Sequence, residues 1–206
     1  IYLRSKGYKV SIYEKNSTLG GRANIIEEKG FRFDVGPSLL NYPWIFENLF
    51  EAAGEKMDDH IDLIEIKSGV KFLWDDKETF TITSDFPRLS NEIARLEKSH
   101  INGLNSFLKV NSKRYHIAFE KLLNRNLDNP LGWGIGLGFS ELLSGSMFKS
   151  MYSDLGKHFK SDYIKQAFGS YAMYLGGSPF KIPGFFSILP YGEIAYGLWM
   201  PKGGIY

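Results

Sequence analysis

An alternating segment that ends in an acidic residue, residues 8–14, constrains the fold of this chain most strongly. Its apolar residues alternate with polar ones, which is typical of a half-buried strand. Residues 1–7 before it resemble the end of a helix, with basic side chains and a glycine cap. A helix end followed by such a strand is typical of the second half of a βαβ unit in a dinucleotide-binding fold. The glycine-rich turn of that fold lies about 20 residues before the acid, so we expect both ends of this sequence to be cut points.

Glu14 ends the predicted strand, where a carboxylate can accept hydrogen bonds from the ribose hydroxyls of an adenosine. A strand end also exposes a glutamate without any ligand, so this position alone leaves both interpretations open. Gly20, Gly21 and Arg22 follow after a five-residue spacer. Two glycines let the backbone approach a bulky ligand, and an arginine can form paired hydrogen bonds to a phosphate. The alternative for the three residues is a tight turn with a surface arginine, but their spacing from Glu14 favours a nucleotide site.

A second motif, F-D-V-G-P-S over residues 33–38, follows the predicted hairpin. Gly36 would let the main chain pass close to a flat ring. Asp34 has the alternative role of a helix or turn cap.

The rest of the chain predicts a mixture of strands and helices. Alternation and turn residues predict a hairpin over 24–34, and helical spacing between Pro43 and Gly54 predicts a helix. Three further strands are expected at 62–67, 70–74 and 79–83, followed by a polar helical region over 87–126 and by helical spacing over 154–171. The buried stripe expected for the first of these helical regions is Ile93, Leu96, Leu104, Phe107, Leu108, Tyr115, Phe119, Leu122 and Leu123.

Composition excludes several classes of protein. The net charge of +2 argues against a strongly basic nucleic-acid binder, so we expect no nucleic-acid partner. The chain has no cysteine, which excludes disulfides and thiolate metal sites within it. The four histidines do not follow a metal-ligand spacing, and we predict no metal site. The sequence contains no run of 18 uncharged apolar residues, so it predicts no transmembrane helix.

The motif E-K-N-x-x-x-G-G-R from Glu14, followed by G-F-x-F-D-x-G-P-S, resembles the FAD-dependent amine oxidase and desaturase superfamily. The later Y-L-G-G-S-P and P-K-G-G segments, at 174–179 and 201–204, are similar to the carotenoid desaturases, the bacterial-type phytoene and diapophytoene desaturases. The resemblance implies an α/β fold (α+β overall), with an incomplete Rossmann-like FAD-binding domain and an inserted substrate domain of mixed sheet and helices. It divides the chain into a partial FAD-binding domain at 1–60, a substrate and membrane-facing domain at 61–198, and a return segment at 199–206.

The resemblance also implies a cofactor site and a reaction. FAD would be held noncovalently, with Glu14 at the ribose, Gly20, Gly21 and Arg22 along the pyrophosphate and flavin side, and Gly36, Pro37 and Ser38 near the isoalloxazine ring. The reaction would remove two hydrogens across a C–C bond of a long polyene, because a flavin can accept a hydride at its N5. The sequence identifies no catalytic acid or base.

An insoluble polyene substrate implies a cytoplasmic protein that is peripherally associated with a membrane. Residues 130–148, which are rich in glycine and large apolar side chains, are the predicted interfacial segment, with a buried helix as the equal alternative. The aromatic residues of 171–200 are candidates for an apolar tunnel or for ordinary core.

Three alternatives use the same fold: a polyene isomerase or saturase, a flavin amine oxidase with a polar substrate, and a non-catalytic prenyl-lipid-binding relative. The apolar character of 171–200 argues against the second, and Glu14 with the Gly20-Gly21-Arg22 motif argues against the third. Without its glycine-rich turn, this piece alone is expected to bind FAD poorly and to show no desaturase activity.

Overall fold

The computed structural model describes residues 1–98, 100–123 and 146–206. Contacts within the chain divide it into two compact units. The first unit is discontinuous and comprises residues 1–67 and 196–206. The second unit, residues 68–195, is inserted between these two parts of the sequence.

The first unit begins with a short helix, α1 (Tyr2–Ser5), whose cap residue Lys6 is followed by the predicted glycine. Gly7 adopts a left-handed φ of 85°, and its amide donates to the carbonyl of Arg4. The predicted strand over 8–14 is wrong, because these residues form no ladder with any described segment. Alternation encodes an apolar face, but a strand also needs a hydrogen-bonded neighbour. Without one, the side chain of Ile12 is 80% exposed.

The predicted hairpin is confirmed. Strands β1 (Ile25–Glu28) and β2 (Phe31–Asp34) pair antiparallel, with Ile25 opposite Asp34. Lys29 and Gly30 both take positive φ, at 52° and 83°, which is the requirement of a two-residue turn that matches the twist of the strands.

The predicted helix after the hairpin is also confirmed as α2 (Pro43–Ala53). Pro43 lies in its first turn, and Gly54 closes it with a φ of 82°. The amides of Gly54 and Glu55 donate to the carbonyls of Glu51 and Phe50, which satisfies the last turn. A 3₁₀ turn, Met57–Asp59, follows.

A small sheet completes the first unit with residues that are far apart in sequence. Strand β3 (Leu63–Glu65) pairs antiparallel with β6 (Trp199–Pro201). Trp199 also exchanges two backbone hydrogen bonds with Leu40, so β6 lies between Leu40 and β3. The return segment is therefore an integral part of the first unit.

The inserted unit begins with the hairpin of β4 (Val70–Leu73) and β5 (Thr79–Ile82), close to the predicted strands. Helix α3 (Phe86–Leu96) follows, and the Asp85 side chain caps it by accepting the amide of Arg88. Helix α4 (His100–Ile117) continues directly into a π-helix, Ala118–Leu123. The remaining elements are α5 (Met151–Leu155), α6 (Asp162–Gly169), 3₁₀ helices Ser170–Leu175 and Gly184–Ser187, and α7 (Ile188–Tyr196).

The helical region predicted over 87–126 is therefore interrupted, and its buried stripe is only partly confirmed. Ile93, Leu104, Phe107 and Tyr115 are buried. Leu123 is instead 66% exposed, because the wider π-turn shifts the faces of the helix relative to the 3.6-residue period.

Four phenylalanines form the centre of the inserted unit. Phe107 of α4 packs against Phe159 and Phe168, with ring centroids 5.7 and 5.1 Å apart. Phe80 of β5 lies 6.2 Å from Phe168. All four side chains have no exposed surface, so hairpin, helices and loop share one core.

A buried ion pair lies in the same unit. The guanidinium of Arg114 donates to both carboxylate oxygens of Asp154, at 2.5 and 3.3 Å. Lys157 donates to the same carboxylate at 2.6 Å. Burial alone would raise the pKa of Asp154, but the hydrogen bonds from Arg114 and Lys157 outweigh it and hold this pKa below its usual value.

A second buried carboxyl has no such cation. Glu193 of α7 is 5% exposed, and its Oε1 accepts no hydrogen bond from the described residues. Burial raises the pKa of Glu193, and a hydrogen bond from Tyr171 lowers it in smaller measure. Gly69 lies against this carboxyl, since a Cβ on Gly69 would approach Glu193 Oε1 to 2.6 Å.

Among the residues that the structure describes, no helix combines the length and the apolar character needed to cross a bilayer. Most of the predicted interfacial segment, residues 130–145, lies outside the described residues. Of its last three residues, Ser146 is buried, Met147 is half-buried and Phe148 is 81% exposed.

Candidate cofactor-binding groove

The two glycine-containing motifs meet beside the hairpin of the first unit. An open groove of about 700 Å³ is lined by Gly21, Arg22, Asn24, Val35, Gly36 and Pro37. The hairpin causes this meeting, because pairing of β1 with β2 brings the residues before β1 next to the residues after β2. The backbone amide of Val35 donates to the carbonyl of Asn24 at 2.9 Å and extends the ladder by one pair.

A glycine is required at position 36 for a steric reason that the sequence does not reveal. A Cβ at this position would lie 1.8 Å from the carbonyl oxygen of Arg22 and 3.1 Å from the Cα of Ala23. The missing side chain therefore allows the two backbone segments to pack together. It shapes the groove from behind, in addition to any contact that it makes with a ligand.

Gly20 and Gly21 take left-handed φ values of 104° and 59° and form the turn before the hairpin. The amide of Ala23 donates to the carbonyl of Gly20 at 3.0 Å, and a Cβ on Gly20 would lie 2.2 Å from the Ala23 carbonyl oxygen. A Cβ on Gly21, in contrast, would meet no atom within 4 Å. Gly20 is thus required by the turn itself, while Gly21 borders the open groove.

Arg22 is the one charged residue among those that line the groove. Its side chain is exposed, and it forms no ion pair with any described residue. A guanidinium in this position can offer two parallel N–H donors to a phosphate. No carboxylate among the lining residues opposes an anion, so the groove suits a phosphate-containing ligand.

Two of the predicted site residues lie outside the groove. Glu14 is exposed, and its Oε1 accepts the backbone amide of Asn16 at 2.8 Å, which forms a local turn. Ser38 is exposed and does not line the groove either. The structure therefore brings Gly21, Arg22, Gly36 and Pro37 together in one groove, while Glu14, Gly20 and Ser38 lie beyond its lining.

Asn24 and Val35 line the groove but were not predicted as site residues. Each flanks a strand of the hairpin, and the side chain of Asn24 accepts the amide of Ile25 at 2.8 Å. Their position next to the two motifs could have identified them as lining residues, because antiparallel pairing aligns the residues that precede one strand with those that follow the other.

Asp34 occupies the end of β2 and has a structural role. Its carboxylate accepts the backbone amide of Ile205 at 2.8 Å, and Arg32 lies 3.9 Å away as an ion-pair partner. A Cβ on Gly204, whose φ is 104°, would lie 2.4 Å from the same carboxylate. The acidic residue of the second motif thus binds the return segment of the chain to the end of the hairpin.

Comparison with known proteins agrees with the predicted nucleotide fold. Residues 1–54 match the family described as NAD(P)-binding Rossmann-like domain. A putrescine oxidase triple mutant redesigned for cofactor binding shares the fold, with a TM-score of 0.55 and 12% identity over 99% of this chain and 43% of its own. The predicted Rossmann-like α/β class is therefore confirmed.

Curated relatives cover nearly the whole sequence. Phytoene desaturase of Phycomyces blakesleeanus is 35% identical over 98% of this chain and 35% of its own length. The zeta-carotene-forming phytoene desaturase of Myxococcus xanthus is 28% identical over 99% of the chain and 40% of its own. A 4,4'-diapophytoene desaturase of Staphylococcus aureus is 29% identical over 99% of the chain and 41% of its own.

These matches confirm the predicted resemblance to the bacterial-type carotenoid desaturases. The chain spans between about a third and two fifths of the length of these relatives.

Proposed function

Because the chain is related along nearly its whole sequence to phytoene and diapophytoene desaturases, we propose that it serves the FAD-dependent desaturation of a long-chain polyene. The observation that carries the proposal is the groove beside the hairpin, in which Arg22 is the single charged lining residue. A nucleotide coenzyme is the ligand class that needs both a close backbone approach and a phosphate partner.

In this proposal the groove holds part of FAD. Arg22 binds the pyrophosphate, and the exposed backbone of Gly21 lies beside it. Gly36 and Pro37, which also line the groove, are assigned to the isoalloxazine side. Their part in the site is supported by the position of all four residues in the lining of one groove.

Glu14, Gly20 and Ser38 complete the proposed set, although they do not line the groove. Glu14 keeps one carboxylate oxygen that no described residue uses, and this oxygen is assigned to the adenosine ribose. Gly20 holds the turn that positions Arg22, and Ser38 directly follows the lining residues Gly36 and Pro37 in sequence.

The two parts of the chain have separate roles in this proposal. The FAD-binding part, predicted at 1–60 and 199–206, is assigned to the first unit, and the substrate-binding part, predicted at 61–198, is assigned to the inserted unit at 68–195. The discontinuous first unit and the inserted second unit support this division, because β6 joins the strands of the first unit after the insertion ends.

The substrate is a hydrocarbon polyene such as phytoene or diapophytoene. FAD, when bound, supplies the two-electron acceptor that an unactivated C–H bond requires. The residues of this chain bind and orient the coenzyme, and the inserted unit supplies apolar surface to the substrate. Since such a hydrocarbon resides in a bilayer, the protein works as a peripheral protein at a membrane surface.

The test uses the purified protein with its full natural chain, in liposomes that contain either phytoene or diapophytoene. The proposal expects noncovalent FAD in the protein and a product whose absorption moves into the visible. A protein that contains no flavin and cannot be reconstituted with FAD would overturn the proposal. A flavoprotein that oxidises amines and leaves both polyenes unchanged would place it with the amine oxidases.

The variant Arg22→Gln tests whether the proposed groove, and not another part of the protein, binds FAD. Loss of a charged hydrogen-bond partner is expected to weaken FAD binding by about 10- to 100-fold. Arg88→Gln is the matched control, because Arg88 is an exposed arginine of the inserted unit that donates to Ser68. Equal FAD dissociation constants for the two variants would contradict the assignment of the groove.

A further inference from the structure

The inserted unit exposes several large apolar side chains on one folded loop and its neighbour. Phe148 is 81% exposed, Met173 63%, Tyr174 54% and Phe180 65%. Lys149 and Lys181 directly follow the two phenylalanines and are exposed as well. We name Phe148, Lys149, Met173, Tyr174, Phe180 and Lys181 the aromatic–lysine patch.

The backbone holds the two segments of the aromatic–lysine patch side by side. Ser150 and Pro183 form an antiparallel bridge, and the amide of Gly184 donates to the carbonyl of Lys149 at 2.8 Å. On the other side, the amides of Met151 and Tyr152 donate to the carbonyls of Ile182 and Pro179 at 2.7 and 2.9 Å. Both Phe-Lys pairs thus belong to one structural feature.

The loop that carries most of the patch is well fixed. Gly176 ends the 3₁₀ helix Ser170–Leu175 with a φ of 66°, and the next glycine packs against Ile182. The amides of Lys181 and Ile182 both donate to the carbonyl of Ser178. The rings of Tyr152 and Phe180 lie 4.6 Å apart. The apolar side chains are therefore presented to solvent by an ordered scaffold.

The charge around the patch is positive. Lys149 and Lys181 are the only charged residues in the stretches 146–153 and 169–192. Asp162 accepts from the Tyr152 hydroxyl and is ion-paired with Lys165 at 2.7 Å. Glu193, whose carboxyl interacts with Tyr174, is buried beneath the surface. Asp154 is buried against Arg114 and does not face solvent.

We propose that the aromatic–lysine patch docks this protein on an anionic lipid bilayer. Phenylalanine, tyrosine and methionine side chains partition into the boundary between headgroups and acyl chains, while lysines attract anionic headgroups. The charge complementarity and the interleaving of lysine with aromatics carry this choice of partner. The choice of lipid over a protein partner also rests on the proposed function, because a polyene is delivered from a bilayer.

The patch differs from the interfacial segment predicted from the sequence. That prediction ended at Phe148, whereas the structure joins Phe148 to a loop about 30 residues later in the chain. Tyr174 and Phe180, which the sequence suggested for a tunnel or a core, lie on this exposed surface.

The experiment measures flotation of the purified protein with vesicles of phosphatidylcholine alone and of phosphatidylcholine with about one third phosphatidylserine. Binding to the anionic vesicles is expected to be several-fold stronger and to decrease with salt. Lys149→Gln with Lys181→Gln is expected to weaken binding to anionic vesicles about 5-fold for each lysine. Phe148→Ser with Phe180→Ser is expected to abolish binding to both kinds of vesicle.

Matched controls come from strand β4 of the same unit. Leu73→Ser removes a side chain that is 71% exposed, and Lys71→Gln removes an exposed lysine. Hydrogen exchange of the unmodified protein gives a second readout, since vesicles should protect the amides of residues 173–181. Controls that lose binding as strongly as the patch variants, or unchanged exchange, would overturn the proposal.

Two further outcomes would also overturn it. The first is an absence of vesicle binding. The second is a self-association of the protein that Phe148→Ser with Phe180→Ser abolishes, which would make the patch a contact between two copies. The vesicles contain neither polyene nor flavin, so failed docking with intact desaturation in detergent rejects the patch alone. Intact docking without flavin or desaturation rejects the proposed function alone.

Discussion

The carboxylate of Asp34 accepts a hydrogen bond from the backbone amide of Ile205, which lies 171 residues later in the chain. This contact joins the end of β2 to the segment that follows β6. A side chain on the neighbouring Gly204 would collide with this carboxylate, so the contact also requires a glycine directly before Ile205.

Asp34→Ala is expected to destabilise the first unit by about 1.5 kcal/mol, because it leaves the Ile205 amide without its charged acceptor. Urea unfolding followed by circular dichroism measures this difference. Asp75→Ala, at an exposed turn of the inserted unit, is the control for loss of an aspartate. Equal unfolding midpoints for Asp34→Ala and Asp75→Ala would show that the contact contributes nothing.

Gly36→Ala is expected to destabilise the protein by about 3 kcal/mol, the upper end of the range for overpacking. The new methyl group would collide with the backbone carbonyl of Arg22, which cannot rotate away. Gly156→Ala is the matched control, since Gly156 has a helical φ of −62° and its added Cβ would meet no atom closer than 3.4 Å. Thermal unfolding of both variants measures the difference in stability. An unchanged unfolding temperature for Gly36→Ala would contradict the close backbone packing.

Asp154→Asn is expected to reduce the free energy of unfolding by about 3–5 kcal/mol, because Arg114 would remain buried without a counter-ion. The pH dependence follows from the lowered pKa of Asp154. A carboxyl with a lowered pKa in the folded state stabilises above its unfolded value of about 4, and this contribution is lost as the pH falls through the folded pKa. Asp154→Asn should therefore flatten the loss of stability below about pH 4.

The control for that experiment is Asp162→Asn. Asp162 also pairs with a lysine, but its side chain is 69% exposed. An ion pair on an exposed carboxylate contributes little to stability, so the two asparagine variants should differ clearly in denaturant midpoint. A similar small effect for both would mean that the Arg114 pair is less important than its burial indicates.

Glu193→Gln tests the opposite direction of pH dependence. The folded pKa of Glu193 is raised by burial, so its contribution is complete below the unfolded value of about 4.3 and is lost as the pH rises through the folded pKa. The stability of the wild type relative to Glu193→Gln should therefore decline by about 1.4 kcal/mol per pH unit between the two pKa values. Urea midpoints at several pH values measure it, and a constant difference would contradict the raised pKa.

Local signals predicted the local structure well. The hairpin could be found from Lys29-Gly30 between two alternating stretches, and α2 from Pro43 and Gly54, because turns and caps depend on neighbours in sequence. The strand over 8–14 failed for the opposite reason. Its apolar alternation is real, but a strand also requires a partner at hydrogen-bonding distance, and that partner is not encoded in the segment itself.

The lining of the groove could be predicted in part for the same reason. Gly21, Arg22, Gly36 and Pro37 meet because the hairpin between them brings its two flanks together, and that hairpin could be predicted from the sequence. The role of Asp34 depends on Ile205, and the buried pair of Arg114 and Asp154 spans 40 residues. No periodicity or spacing rule identifies such distant partners, since each residue alone has the pattern of an ordinary surface charge.

The pairing of β3 with β6 also determines an order of events during synthesis. The amide of Ile66 donates to the carbonyl of Leu198, so the chain departs into the inserted unit and comes back at neighbouring points of the backbone. On the ribosome, β3 therefore remains without its pairing strand until about 130 more residues have been synthesised. Closing this long loop costs only modestly more conformational entropy than closing a shorter one. The inserted unit has a buried core of its own, so it has the character of a domain that can be exchanged between related proteins while the first unit is retained.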